Sequence, residues 1–254
     1  MKVRVAGVIP SRWGSTRFPG KSLALVGGRP LVAWVVSRVK QATQLDEILV
    51  ATDDERIAEV VRACGVTVAM TRADHPSGTD RIAEAIQQVE ADVVVNIQGD
   101  EPLIDPGLID RVATVLRDGT EWDMATAAAP IQTRAELNNP DIVKVVRGGD
   151  ARALYFSRAA IPFVRGTSAE MEPVAGAHLR HIGLYGYQRA FLERLVKEPP
   201  CPLEELEKLE QLRALSIGCR MIVLDGDASG IGVDSPADVP QAESLLRQAG
   251  LLKE

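Results

Sequence analysis

The sequence predicts an α/β fold, a mostly parallel sheet flanked by helices, with a smaller β-rich subdomain. Short β-branched runs alternate with amphipathic stretches through the first 120 residues, the signature of repeated β-α-β units. Over residues 121–187 this alternation gives way to several short strand-like segments, and helical patterns return after them. The unusual polar loops follow strands, where open α/β sheets hold their ligands.

The first strand is predicted over residues 3–9 and is stopped by Pro10. A helix follows over 30–43, with Pro30 suited to a first turn. Residues 47–52 (EILVAT) read as a strand, and 54–64 as a helix ending at Gly65. A strand over 66–70, a helix over 79–90 and a strand over 92–97 (DVVVNI) continue the pattern. A helix over 105–118 has Asp105 as its cap and Pro106 at its first position. In the second region, strands are predicted over 124–128, 142–146, 154–157 and 182–187. The polar stretch 166–176 reads as a mobile loop. Helices over 189–197 and 203–215, a strand over 220–224 and a last helix from about Pro236 complete the chain. The predicted division is a Rossmann-like core of residues 1–120 and 215–254, with residues 121–214 as the subdomain.

Composition narrows the partners. The 254 residues carry a net charge of −6 with few aromatics, so nothing resembles a nucleic-acid footprint, and an anionic ligand needs a local cluster of cations. Cys64, Cys201 and Cys219 are odd in number and lack zinc-ligand or CxxC spacing, so reduced thiols are expected. The first ten residues show no signal-peptide pattern, and no apolar run approaches the length of a membrane span. A soluble, cytoplasmic protein is the expectation.

The cation cluster lies in PSRWGSTRFPGKSL, residues 10–23, where Arg12, Arg17 and Lys21 follow the first strand. Glycines there allow close approach to phosphate, although neither a Walker A loop nor a GxGxxG fingerprint is present. After the fourth predicted strand, NIQGDEP puts Asp100 and Glu101 side by side, and magnesium takes one or two carboxylates plus phosphate oxygens. Asp100 is the better ligand candidate. Asp234, in GIGVDSPAD, reads by itself as a turn residue before a cap at Ser235, and becomes interesting only beside Asp100. Ser77 or Thr79 reads as a helix cap in DHPSGTDR, which leaves His75 and Arg81. HLRHIGLYGY and ELEKLEQLR, with Glu210 and Gln211 mid-helix, offer polar pocket linings, though Glu210 alone also suits a solvated helix face and Tyr187 a core. No nucleophile elbow, triad order or HExxH occurs, so the chemistry suggested is metal-assisted phosphoryl or nucleotidyl transfer.

Taken together, SRWGSTRFPGKSL, ATDDE, MTRADHPSGTDRIAE, VVNIQGDEP, NPDIVKVV, ALYFSRAAIP, HIGLYGY, LEELEKLEQLR and GVDSPADV resemble the 3-deoxy-manno-octulosonate cytidylyltransferase (CMP-Kdo synthetase) family nearly end to end. The resemblance implies a nucleotide-diphospho-sugar transferase type of fold. It also implies transfer of CMP from CTP to the sugar acid Kdo for lipopolysaccharide synthesis, with Mg2+, in a cytoplasmic homodimer. By resemblance, Arg12, Arg17, Lys21, Ser77, Arg81 and Gln98 hold CTP, Asp100 and Asp234 bind magnesium, and Lys21, Asp100 and Arg12 act in catalysis. Arg158, His181, Tyr185, Glu210 and Gln211 face the sugar acid, and the subdomain carries sugar binding and dimerisation. Ser11, Trp13, Gly14 and Ser22 depart from the residues commoner in the family. Two other expectations stand beside this one: a cytidylyltransferase for another acid sugar (8-amino-Kdo or a sialic acid), and a nucleotide-binding sensor without turnover.

Overall fold

In a computed structural model, residues 2–14, 18–166, 172–227 and 230–253 are described. Strand β1 (Val5–Ser11) leads through a 3-10 turn at Lys21–Leu23 into a hairpin of β2 (Leu25–Val26) and β3 (Arg29–Pro30). Then come α1 (Leu31–Val39), β4 (Glu47–Thr52), α2 (Glu55–Ala63), β5 (Thr67–Met70), α3 (Gly78–Ala85), β6 (Val93–Asn96) and α4 (Pro106–Asp118). The second region comprises β7 (Met124–Pro130), α5 (Arg134–Asn138), β8 (Lys144–Arg147), β9 (Ala153–Ser157), β10 (Leu179–Gln188) and α6 (Arg189–Leu195). Helices α7 (Pro202–Glu207) and α8 (Gln211–Ser216), strand β11 (Met221–Asp225), a 3-10 turn at Pro236–Asp238 and α9 (Val239–Gln248) close the chain.

Local chemistry sets many of these boundaries. Asp54 caps α2 through the Arg56 N–H, and Cys64 and Gly65 end it with Gly65 at φ +66°. Asp105 accepts from the N–H groups of Gly107 and Leu108, with Pro106 at the first position of α4.

Among the described residues the central sheet runs β11-β7-β10-β6-β1-β4-β5, with β8 and β9 attached through β10. β6, β1, β4 and β5 are parallel, as are β7 and β11, but β10 runs antiparallel between β6 and β7. Segment 121–214 therefore supplies β7 and β10 to the path of the main sheet and β8 and β9 beside it, rather than a sheet of its own. Strand alternation divides the core. Ala6 and Val8 of β1 and Val94 of β6 pack beneath α3, α6 and α8, while Val5, Ile9, Val93 and Val95 pack beneath α1, α2 and α4. A third cluster joins Val26, Leu31 and Trp34 to Val233, Ala242 and Leu246, pinning α9 to the β2–β3 hairpin.

Two expectations need correction. The helix predicted over 203–215 is two helices, because Lys208 takes the left-handed conformation (φ 55°, ψ 48°) and breaks it. Glu210 is thus the residue before α8 rather than mid-helix. The short hairpin β2–β3 and helix α5 were not predicted, though Thr133 and Glu136 form a legible capping box for α5. Of the loop predicted over 166–176, residues 167–171 lie outside the described residues. No helix among the described residues is long and apolar enough to cross a membrane.

Candidate active site

The sheet brings its strand-end loops to two cavities that share Pro10, Ser77, Gly78, Gln98 and Glu210. One, of about 320 Å³, is lined by Arg12, Lys21, Arg81, Asp100 and Asp234. The other, of about 310 Å³, is lined by His181, Tyr185, Tyr187, Gln211 and Asn96.

The basic cavity is built on close backbone approach. A Cβ at Gly99 would lie 2.7 Å from the Pro10 carbonyl oxygen, so only glycine lets the loop after β6 press against the end of β1. Val233 N–H donates to the Asp100 carbonyl (2.9 Å), which fixes the late GVDSPAD loop to the same place. Asp100 and Asp234 consequently converge on one cation: Lys21 Nζ lies 2.6 Å from Asp100 Oδ2 and 2.9 Å from Asp234 Oδ1. Burial pulls the Lys21 pKa down, but the charge and hydrogen bonds of Asp100 and Asp234 outweigh it, and the net shift is upward. Glu101, beside Asp100, is pushed up to about 7 by burial and by the Asp100 charge, against the pull of Arg180.

The opening loop is braced by its own side chains. Ser11 Oγ donates to Ser22 Oγ (2.7 Å, buried), tying the end of β1 to the turn after the loop. Trp13 carries the Arg56 guanidinium over its ring at 3.4 Å, and a Cβ at Gly20, which sits at φ +68°, would lie 2.8 Å from the same indole. Gly20 N–H also donates to the Trp13 carbonyl (3.1 Å), setting the residue that precedes Lys21.

Arg12 is exposed at the rim, and Arg17 lies outside the described residues. Ser77 caps α3: its Oγ accepts from Asp80 N–H (3.2 Å) and donates to Asp80 Oδ2 (2.7 Å). Arg81 is only 2% exposed and donates to Thr71 Oγ1 (2.6 Å) and Asp53 Oδ2 (3.2 Å), so two of its guanidinium N–H groups are committed within the protein. His75 lines the basic cavity and is held by Glu84.

On the other side, residues 181, 183, 185 and 187 of β10 share a face with Asn96 of β6, which pairs with Tyr185. Thr126 Oγ1 lies 2.8 Å from both the Leu184 carbonyl and His181 Nε2. Its single proton goes to the carbonyl, so His181 donates from Nε2 and keeps Nδ1 as an acceptor. Burial holds His181 neutral, its pKa lowered to about 3. The rings of His181 and Tyr185 lie 5.2 Å apart, those of Tyr185 and Tyr187 6.2 Å, and burial raises both phenol pKa values. Glu210 accepts from Thr79 Oγ1 (2.9 Å) and its pKa is raised, chiefly by burial. Gln211, 6% exposed, starts α8.

Arg158 is apart from this group. Its Nε donates to the Glu207 carbonyl (2.8 Å) and its Nη1 to the Pro140 carbonyl (2.9 Å), and it lines neither cavity. Asn96, Thr126 and Lys208 were not anticipated. Asn96 alone left a trace in the sequence, as the polar end of the apolar run VVVN on a buried face.

A pair of carboxylates held on one ammonium suits a hard divalent cation that completes its shell with water and phosphate oxygens. Among the described residues no cluster of three or more His, Cys, Asp or Glu adds a richer ligand set.

A sequence profile of the cytidylyltransferase family matches residues 6–222. The 3-deoxy-manno-octulosonate cytidylyltransferase of Bdellovibrio bacteriovorus is 47% identical over 98% of this chain and all of its own. That of Geobacter sulfurreducens is 44% identical over 96% of this chain and all of its own. The structure of a CMP:2-keto-3-deoxy-manno-octonic acid synthetase complexed with CTP superposes with a TM-score of 0.90 at 39% identity, covering 97% of this chain and 99% of the other.

Proposed function

This chain belongs to the cytidylyltransferase family, and from that premise we propose that it transfers CMP from CTP to Kdo, releasing pyrophosphate. The observation that carries the reading is the junction of the two cavities at Gln98 and Glu210, which sets a cationic, carboxylate-bearing site for a triphosphate against a polar, aromatic one for a sugar acid. A nucleotidyltransferase needs that adjacency, because its catalysis is largely positioning and charge neutralisation.

In the proposed reaction the anomeric 2-hydroxyl of Kdo attacks the α-phosphorus of CTP in line. The new O–P bond forms as the bond to the bridging oxygen of pyrophosphate breaks, and the hydroxyl proton is lost to solvent. Arg12 and Lys21 neutralise the pyrophosphate, and Arg17 belongs with them. Ser77, Arg81 and Gln98 hold the nucleotide, Arg81 from within its bonds to Thr71 and Asp53. His181, Tyr185, Glu210 and Gln211 position the sugar acid. Arg158 contributes to its carboxylate only by leaving the Glu207 and Pro140 carbonyls. Asp100 and Asp234 would hold Mg2+, which supplies charge neutralisation on the phosphates and a lower pKa for the attacking hydroxyl. We place the enzyme in the cytoplasm, in lipopolysaccharide synthesis, as a homodimer; fractionation with detection of the chain in a membrane or periplasmic fraction would refute the first of these.

The test is pyrophosphate release from CTP with a panel of Kdo, 8-amino-Kdo and a sialic acid. Turnover is expected with Kdo; release only with another acid would move the substrate, and binding without release would make the protein a sensor. Asp100→Ala and Asp234→Ala are each expected to lower turnover by at least about a hundredfold. Near-native turnover in either folded variant removes that residue from the metal site.

A further inference from the structure

Asn96 ends β6 with its side chain in the aromatic cavity, and it is 3% exposed. Thr79 Oγ1 donates to Glu210 Oε2 (2.9 Å), and the buried Tyr187 phenol lies within interaction range of both Thr79 and Asn96. Its carboxamide oxygen has no hydrogen-bond partner among the described residues, and it is the single buried side-chain atom there in that position. Buried acceptors are rarely left so, because the loss of hydration goes uncompensated. The cavity residues around it have their own partners: Thr126 for His181, Thr79 for Glu210.

We propose that the Asn96 carboxamide oxygen accepts a hydrogen bond from one hydroxyl of the sugar acid, which makes Asn96 a specificity-determining residue at the floor of the cavity. The inference rests on the function proposed above and deepens it. An apolar wall would tolerate loss of a hydroxyl, whereas a buried acceptor penalises the analogue that lacks it. Burial at the end of β6 holds the Asn96 side chain in the cavity, so the oxygen is presented before substrate arrives.

The experiment combines Asn96→Leu and Asn96→Asp with Kdo and with analogues lacking each of its hydroxyls in turn, measured by pyrophosphate release. In the wild type one analogue is expected to lose at least about tenfold in kcat/KM relative to Kdo. Asn96→Leu should lose about the same with Kdo, yet barely distinguish Kdo from that analogue, while its KM for CTP stays within about twofold. Asn96→Asp keeps an acceptor and should keep the discrimination. If Asn96→Leu does not fold, Asn96→Ser, too short to reach, takes its place. Discrimination unchanged in Asn96→Leu, or lowered equally for every analogue, would mean a water or a purely structural role and overturn the inference alone. Absence of turnover with any sugar acid in the wild type would overturn the proposed function together with it.

Discussion

Lys21 sits where two carboxylates from distant parts of the chain, Asp100 and Asp234, meet, and its ammonium offsets their repulsion. The same ammonium lies in the cavity proposed for the triphosphate, so it can serve carboxylates and phosphate by small side-chain movements. His181 shows the opposite electrostatic strategy. It is held neutral by burial, with its pKa about 3 against an ordinary value of 6.5. The unfolded chain takes up a proton at this residue below pH 6.5 and the folded chain does not until about 3. The stability it confers is therefore full above pH 6.5 and is lost as pH falls toward 3. Between these values urea denaturation should show a loss of up to about 1.4 kcal/mol per pH unit, absent in His181→Gln. A parallel pH dependence in both proteins would refute the assignment. The pH profile of kcat/KM should likewise show no limb near 6.5 that His181→Gln removes.

At the scale of elements, the break at Lys208 is decisive for the site. A continuous helix would carry Glu210 and Gln211 around a regular surface, whereas the left-handed residue ends α7 and lets Glu210 reach Thr79 at the start of α3. A β-branched residue tolerates that backbone poorly. Lys208→Val should cost roughly 1–2 kcal/mol in unfolding free energy and raise KM for the sugar acid, with KM for CTP little changed. An unaltered sugar-acid KM in a destabilised Lys208→Val would separate the break from the site. The sequence around Lys208 holds no glycine or proline, the usual marks of such a break, which is why a single helix was predicted there. By contrast, Asp54, Asp105 and Pro106 mark their boundaries openly, and the helices they begin fall where periodicity puts them.

For the whole molecule, the acidic chain sets Arg12, Lys21 and Arg81 around the cavity where the triphosphate is proposed to bind. If Mg2+ is held by two carboxylates and substrate phosphates together, a chelator should abolish pyrophosphate release. It should leave the Tm of the substrate-free protein unchanged within about 1 °C, since no all-protein cage is lost. A large fall in Tm on chelation would point to a structural metal instead. Exposed apolar residues also remain: Leu203 and Leu206 on α7, Leu154 on β9, and Phe163, which is 73% exposed. If they belong to the proposed dimer, sedimentation should give about twice the 27.4 kDa chain mass, falling to one chain when Leu206 and Phe163 are replaced by Ser. A monomer at assay concentration would exclude the dimer.

By itself the sequence determined the α/β class, most element positions, the capped helix starts and the loops that carry the chemistry. These depend on local periodicity and on residues that act within a few positions of themselves. What only the tertiary structure decided is which of those residues meet. Asp234 reads as a turn residue until Val233 binds the Asp100 carbonyl and α9 packs on the β2–β3 hairpin. Arg158, Arg81 and Asn96 could not be sorted into committed and unpartnered groups without their neighbours: Glu207 and Pro140, Thr71 and Asp53, and Tyr187. The antiparallel passage of β10 between β6 and β7 is likewise invisible locally, because strand direction depends on pairing between segments far apart in the chain.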